Sequence, residues 1–296
     1  MAENASPLFD LHLHSCWSYD AGADFTAYFQ RAREIGVRCV AITDHHGIDG
    51  HPEAREIALG YPEIRLVPGA EFTVTTSFGS VDLVCYGFGK VHNSATERLR
   101  ALYGAWQQNA GAAISRGLVA MGYGFDDAER LKLLRTYRPE RAISAQGNTH
   151  LRNAVMRGWL LEHGCISTPE AFDDFMFRAR DAGGFQTHPP ASVTIPLLKE
   201  AGALIAIAHP FKNYFQGADG ARMAKLREEC ALDGIECAHP SIPPEYTAVY
   251  RRYCVENGLF STGGSDCHFE EDMPGHFGRY GTDPAWLDEF LARLPA

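Results

Sequence analysis

The stretch FDLHLHSCWSYD, residues 9–20, places His12 and His14 one residue apart behind an apolar lead-in. On a strand, residues i and i+2 share a face, so the two imidazoles can reach one metal ion from a rigid base. Taken alone, an H-x-H pair is a weak signal and reads more readily as a fortuitous surface or core pair. Similar chemistry recurs at four more places: Thr43-Asp44-His45-His46, Gly69-Ala70-Glu71, Ala208-His209-Pro210 and Ser265-Asp266-Cys267-His268. Each could serve singly as an N-cap, a turn or a satisfied histidine. Brought to one mouth, these carboxylates and imidazoles are what Zn²⁺, Mn²⁺ or Fe²⁺ prefer, with no need of thiolate. The eight cysteines include no C-x-x-C pair, and several lie in apolar runs such as RCVAIT and VDLVCYGF. They read as buried reduced thiols rather than disulfides or a zinc-thiolate site.

Positioning such groups requires strands that end together. Residues 7–13 read as a buried strand, and FTAYFQRAREIG offers Phe25, Tyr28, Phe29, Ala32 and Ile35 at helical spacing, closed by Gly36. RCVAITDHHG is a second apolar strand, which completes a strand, helix, strand unit of about 35 residues suited to parallel strands with a crossover helix. IRLVPGAEFTV and SVDLVCYGF follow as strands, and ALIAIAHP, GIECAHP and LFSTGGSDCH run apolar and then polar. Polar groups at the exit ends of successive parallel strands are how a barrel or doubly wound sheet builds a site. Between about residues 95 and 185 that rhythm gives way to helical patterns: ERLRALYGAWQQNAGAAISRGLVAMG, NAVMRGWLLEHG and TPEAFDDFMFRARDAGG. The expectation is a barrel of residues 1–95 and 186–296, with residues 96–185 as a mostly helical insertion capping its mouth.

The 296 residues suffice for one large α/β barrel with an insertion, and 45% hydrophobic with 22% charged residues is the composition of a folded enzyme. A net charge of −10 opposes binding to a long nucleic acid, which rests on neutralising phosphates with Lys and Arg. A small anion held by a few local cations is compatible with it. The start, MAENASPLFD, lacks a basic n-region and a long apolar h-region, and no window of about 18 uncharged apolar residues follows. A cytoplasmic protein without membrane attachment is expected.

The motifs DLHLHS, AITDHHG, PGAEFT, IAIAHP and GGSDCH, in that order over residues 10–268, resemble those of the PHP (polymerase and histidinol phosphatase) phosphoesterases. The resemblance implies a distorted (β/α)7 TIM-like barrel, a helical insertion over the site and a cluster of two or three divalent cations: Mn²⁺, Zn²⁺ or Fe²⁺, with Mg²⁺ a further option. It implies His12, His14, Glu71 and Asp266 as ligands of a first metal, with Glu71 bridging to a second. It assigns His209 to the second metal and Asp20, His45 and His268 to a third. One position departs from the pattern: where relatives carry histidine at the start of the fourth strand, SVDLVCYGF has Asp82, which reads either as a substitute ligand that shortens the reach and adds negative charge or as a structural residue behind the ligands.

The implied reaction is hydrolysis of a small phosphate ester, a nucleotide or sugar phosphate or a cyclic phosphodiester, by a hydroxide held between cations bridged by Glu71. Glu71 and Asp266 are then catalytic as well as ligating. His239 in ECAHPS reads either as the leaving-group acid or as a rim residue. In ISAQGNTHLRNAV the resemblance implicates Ser144, His150 and Arg152 in holding phosphate. It points to Arg178 and Arg180 near a phosphate-binding lysine of relatives, and to Lys212 where relatives carry arginine. For each cation the plain alternative is a solvated charge. His46, His51 and His188 read as scaffold or rim. The rivals are a 5′-3′ exonuclease on short single strands, a related amidohydrolase barrel and a degenerate binding module. The exonuclease would need a basic track with exposed aromatics. The amidohydrolase favours a carboxylated lysine or a lone strand-end aspartate, and no lysine ends an apolar strand here.

Overall fold

The computed structural model describes residues 8–88, 93–212 and 214–295. The run FDLHL forms β1 (Phe9–Leu13), buried at all five positions. Its expected start at residue 7 lies outside the described residues. α1 (Phe25–Ile35) opens on Asp24, whose side chain accepts the Thr26 N–H at 2.8 Å, and closes on Gly36 at φ 84°. β2 (Cys39–Ile42), α2 (His51–Ala58), β3 (Arg65–Thr76) and β4 (Gly79–Tyr86) follow. Next come α3 (Ser94–Ala120), α4 (Asp127–Leu134), α5 (Glu140–Gln146), α6 (Asn153–Glu162) and α7 (Phe172–Ala182). The chain ends with α8 (Ala191–Glu200), β5 (Leu204–Ile207), α9 (Gly220–Glu229), β6 (Gly234–Ala238), α10 (Pro244–Asn257), β7 (Phe260–Gly263), α11 (Met273–His276) and α12 (Pro284–Leu291).

The seven strands hydrogen-bond in sequence order, β1 to β7. Just beyond the outer strands, the Asp266 N–H donates to the His12 carbonyl and the His14 N–H to the Cys267 carbonyl, both at 2.9 Å. The sheet is therefore a nearly closed barrel, the distorted TIM-like architecture that the motif order implies. Not every strand is parallel, however. β4 runs antiparallel to both β3 and β5, because only Ser77 and Phe78 separate it from β3, too few residues for a crossover. The hairpin also corrects two expected strand ends: β3 continues past Glu71 to Thr76, and Asp82 lies inside β4 opposite Thr73.

Contacts divide the chain into two compact units, one running to Arg100 and resuming at His188, the other Ala101–Thr187. Within the second, the helical periodicities appear as α3, α6 and α7, while the shorter α4 and α5 carry too little pattern to be singled out in the sequence. Its core packs the Phe125 ring edge-on to Trp159 at 4.8 Å, among Leu118, Leu134, Leu160 and Phe175. α3 and the end of α7 meet backbone to backbone at Gly117 and Gly183, where an added Cβ would lie 1.8 Å from the carbonyls of Ala179 and Ala113. All eight cysteines are free. Among the described residues no helix is long and apolar enough to cross a membrane.

His51 opens α2 from inside the barrel unit, its Nε2 at 2.6 Å from the Gly69 carbonyl. Burial pushes its pKa down to about 4 from an ordinary 6.5. Since the unfolded chain takes up this proton first, His51 contributes stability that is present above pH 6.5 and is lost as pH falls towards 4. Urea unfolding from pH 7 to pH 4 should show the wild type losing about 3 kcal/mol more than His51→Gln. Parallel curves for the two proteins would contradict the assignment.

Candidate metal centre

The strand exits deliver their polar groups through unusual backbone. His46, His209 and Asp266 have φ of 60°, 29° and 54°, a region that side chains other than glycine rarely adopt. In each case the strained residue's N–H is held by a neighbouring strand: His46 donates to the Glu71 carbonyl at 2.7 Å, His209 to Glu236 Oε2 at 2.7 Å and Asp266 to the His12 carbonyl at 2.9 Å. At Gly264 an added Cβ would stand 2.2 Å from His12 Cβ, so the chain after β7 packs directly on the first histidine.

Glu71, 1% exposed, is the hub of the cluster. Its Oε2 lies 3.3 Å from His12 Nε2, 3.3 Å from His14 Nε2 and 3.2 Å from His45 Nδ1, and its Oε1 lies 3.1 Å from His209 Nε2. Asp266 Oδ1 sits 3.5 Å from His12 Nε2 and 3.2 Å from His14 Nε2. His45 Nε2 and His268 Nε2 approach Asp20 Oδ2 at 3.3 and 3.6 Å. The nine expected ligands, His12, His14, Asp20, His45, Glu71, Asp82, His209, Asp266 and His268, are thus brought to one place. Donor atoms of eight of them, all but Asp20, form overlapping groups together with His239: His12, His14 and Glu71; His14, His45 and His268; His12, His239 and Asp266; and Glu71, Asp82 and His209.

The charges reinforce one another. Burial alone would raise the Glu71 carboxyl, but His12 and His45 hold it well below the usual carboxylate range. Asp20 and Asp266 are likewise driven up by burial and held well below by their histidines. Burial by itself lowers the imidazoles, yet the facing acids outweigh it, lifting His12 well above its ordinary value, His45 to about 10 and His209 to about 9. Carboxylates kept ionised and imidazole nitrogens aimed at one volume suit divalent cations. Two features strengthen the fit: His12 Nε2 and His14 Nε2 face each other at 3.1 Å, and Asp20 Oδ1 is buried with no hydrogen-bond partner.

Several supporting residues escape a reading of motifs. Glu236 on β6, fully buried, takes His12 Nδ1 at 3.0 Å and the His209 N–H at 2.7 Å, and so orients two candidate ligands from one carboxylate. Its only signal in the sequence is an acid inside the apolar run GIECA. Asp44 accepts the Ser15 N–H at 2.6 Å and the Ser15 hydroxyl at 2.8 Å. Asp10 accepts the N–H groups of Ser265 and Gly278 at 3.0 and 2.8 Å, and burial raises its pKa to about 6 despite them. Ser18 Oγ lies 3.1 Å from His14 Nδ1.

His239 joins the cluster differently. Its Nδ1 accepts the Ser241 N–H at 3.0 Å, which leaves the ring proton of the neutral side chain on Nε2, 3.3 Å from Asp266 Oδ2. Lys212 is exposed in the segment after β5. Ser144, His150, Arg152 and Arg180 belong to the second unit: Ser144 is exposed on α5, His150 meets the Trp106 ring, and the guanidiniums of Arg152 and Arg180 lie over Tyr137 and Phe185. Arg178 pairs with Asp174 at 3.4 Å.

The sequence profile of the PHP domain matches residues 10–173, over half of the chain. The chain belongs to the PHP domain family. Among curated proteins none matches this sequence. Of solved structures, this PHP chain is similar to a Bifidobacterium adolescentis protein provisionally named a metal-dependent phosphoesterase, at 23% identity and a TM-score of 0.71 over 99% of both chains. It is also similar to a Chromobacterium violaceum protein named an amidohydrolase, solved with bound sulfate and no metal, at 20% identity and a TM-score of 0.70 over 96% of both chains. At these identities the likeness is one of fold.

Because the facing imidazoles are protonated well above neutrality before a cation arrives, manganese binding at pH 8 should release protons. Calorimetry in buffers of different ionisation enthalpy reads this release directly, and heats independent of the buffer would refute it. Glu236→Gln should weaken manganese binding by roughly 10- to 100-fold, through loosened His12 and His209. Unchanged affinity would remove Glu236 from the centre.

Proposed function

We propose that this PHP protein is a metal-dependent phosphoesterase acting on a small phosphate ester. The observation that carries the reading is the sharing of Glu71 by two neighbouring donor groups, one through Oε2 with His12 and His14, the other through Oε1 with His209 beside Asp82. We assign His12, His14, Asp20, His45, Glu71, Asp82, His209, Asp266 and His268 to hold divalent cations there. Bound at such a centre, these cations acidify water towards neutral pH and neutralise charge on phosphoryl oxygens. Glu71 and Asp266 orient the reacting groups. His239, whose Nε2 lies beside Asp266, is assigned in its imidazolium form as proton donor to the departing alkoxide, which returns it to neutral imidazole.

Substrate charge calls for cationic partners beyond the centre. Lys212, in the segment that follows His209, is one candidate. Ser144, His150, Arg152 and Arg180 are offered as further phosphate contacts on the strength of their motifs. A carbon–nitrogen hydrolase of the kind that relies on a carboxylated lysine fits less well, because no lysine ends an apolar strand of this sequence. The net charge of −10 favours a small substrate over a polynucleotide.

Manganese-loaded protein assayed against phosphomonoesters, cyclic phosphodiesters, short oligonucleotides and simple amides should turn over a small phosphate ester and leave the amides intact. His14→Ala should lower kcat/KM by at least ~100-fold. His239→Asn should reduce turnover most for substrates with a poor leaving group and least for an activated aryl ester. Turnover restricted to amides would overturn the proposal, as would undiminished activity of His14→Ala. Turnover restricted to oligonucleotides would turn it into an exonuclease.

A further inference from the structure

The four donor groups at the mouth differ in chemistry. His14, His45 and His268 are all imidazole, whereas Glu71, Asp82 and His209 combine two carboxylates with one imidazole. Asp82 also has both oxygens engaged by hydroxyls: the Thr73 hydroxyl donates to Oδ1 at 2.6 Å and the Tyr214 hydroxyl donates to Oδ2. These partners come from opposite sides. Thr73 faces Asp82 directly across the β3–β4 ladder, on the same strand as Glu71 and two residues beyond it. Tyr214 comes from the turn after β5, five residues past His209. That turn is itself held, since the N–H groups of Tyr214 and Phe215 donate to the Pro210 carbonyl at 3.3 and 2.8 Å, and Arg222 Nε donates to the Tyr214 carbonyl.

A carboxylate oxygen accepts in two directions, so one hydroxyl on each oxygen fixes the plane of Asp82 and leaves a lone pair on each for a cation. An aspartate at the end of a short side chain would otherwise turn about its last torsion. Carboxylate and water ligands suit manganese and magnesium, while imidazole suits zinc, so a group of two carboxylates and one imidazole admits different competing ions from the all-imidazole group beside it. We propose that Thr73 and Tyr214 are positioning residues that clamp Asp82 as the oxygen arm of a cation position completed by Glu71 and His209, and that this arm lets the position take manganese in competition with zinc. The inference rests on the reading of the cluster as a metal centre and adds a selectivity to one part of it.

The test strips the full chain with a chelator, reloads it with equal concentrations of manganese and zinc, and locates each ion by anomalous diffraction at both absorption edges, with elemental analysis for stoichiometry. A cation is expected at roughly 2.1 Å from an Asp82 oxygen, with a larger manganese share than at the position of His12 and His14. Asp82→His should lower the manganese share there by roughly tenfold, and Thr73→Val and Tyr214→Phe should each weaken loading of that position by roughly tenfold. Should Tyr214→Phe fail to fold, Thr73→Val carries the measurement. Three results overturn the inference: a cation on Glu71 and His209 with Asp82 outside coordination distance, a manganese-to-zinc ratio unchanged in Asp82→His, or unchanged loading in Thr73→Val. Loading at His12 and His14 with none at Asp82 overturns this inference alone, whereas no loading anywhere overturns the proposed function with it.

Discussion

The burial of Glu71 is the constraint around which the barrel mouth is organised. An ionised carboxylate withdrawn from water is costly unless matched by donors or cations, and here imidazoles from β1, the exit of β2 and the exit of β5 surround it. None of those strands could supply the match alone. The β3–β4 hairpin makes the arrangement possible, because β3 continues beyond the point where the other strands end and carries Glu71 into the space between them. Reversal of β4 then sets Asp82 beside the same space from the opposite direction.

A cluster of this kind also has to be held open against its own side chains. The barrel does so with backbone bonds from strained residues: His46, His209 and Asp266 are left-handed, and each is tied by its N–H to a neighbouring strand or to Glu236. Buried carboxylates around the rim carry out a related task. Asp10 gathers N–H groups from the segments after β7, Asp44 pins the loop after His14, and Glu236 ties His12 to His209. The mouth therefore depends on a ring of acids one layer beneath the donors, and strain in the exits is offset by the pairing it permits.

Much of this was legible in the residues. Alternation in DLHLH and the acid and histidine at each apolar exit could be read from the residues alone, because a strand fixes which side chains share a face; the place of Asp20 at the same mouth was implied only by the resemblance of the motifs. The helices of the second unit that follow a long 3.6-residue period were legible for the same reason. What escaped the sequence depended on partners far along the chain. GIECA shows a lone acid in an apolar run, and only the proximity of β6 to β1 and β5 gives Glu236 its two partners. IRLVPGAEFTV and SVDLVCYGF show two strands, but their antiparallel pairing follows from the two-residue turn and moves Glu71 and Asp82 from strand ends to strand interiors.

The sequence by itself determined the α/β class and which apolar strand exits carry acids and imidazoles, since these depend on residue type and local period. Only the tertiary structure decided that Glu236, Asp44 and Asp10 stand behind the donor groups rather than among them, and that Asp82 is gripped by Thr73 and Tyr214. Those outcomes depend on distances between residues as much as 268 positions apart, such as Asp10 and Gly278, and no local pattern encodes them.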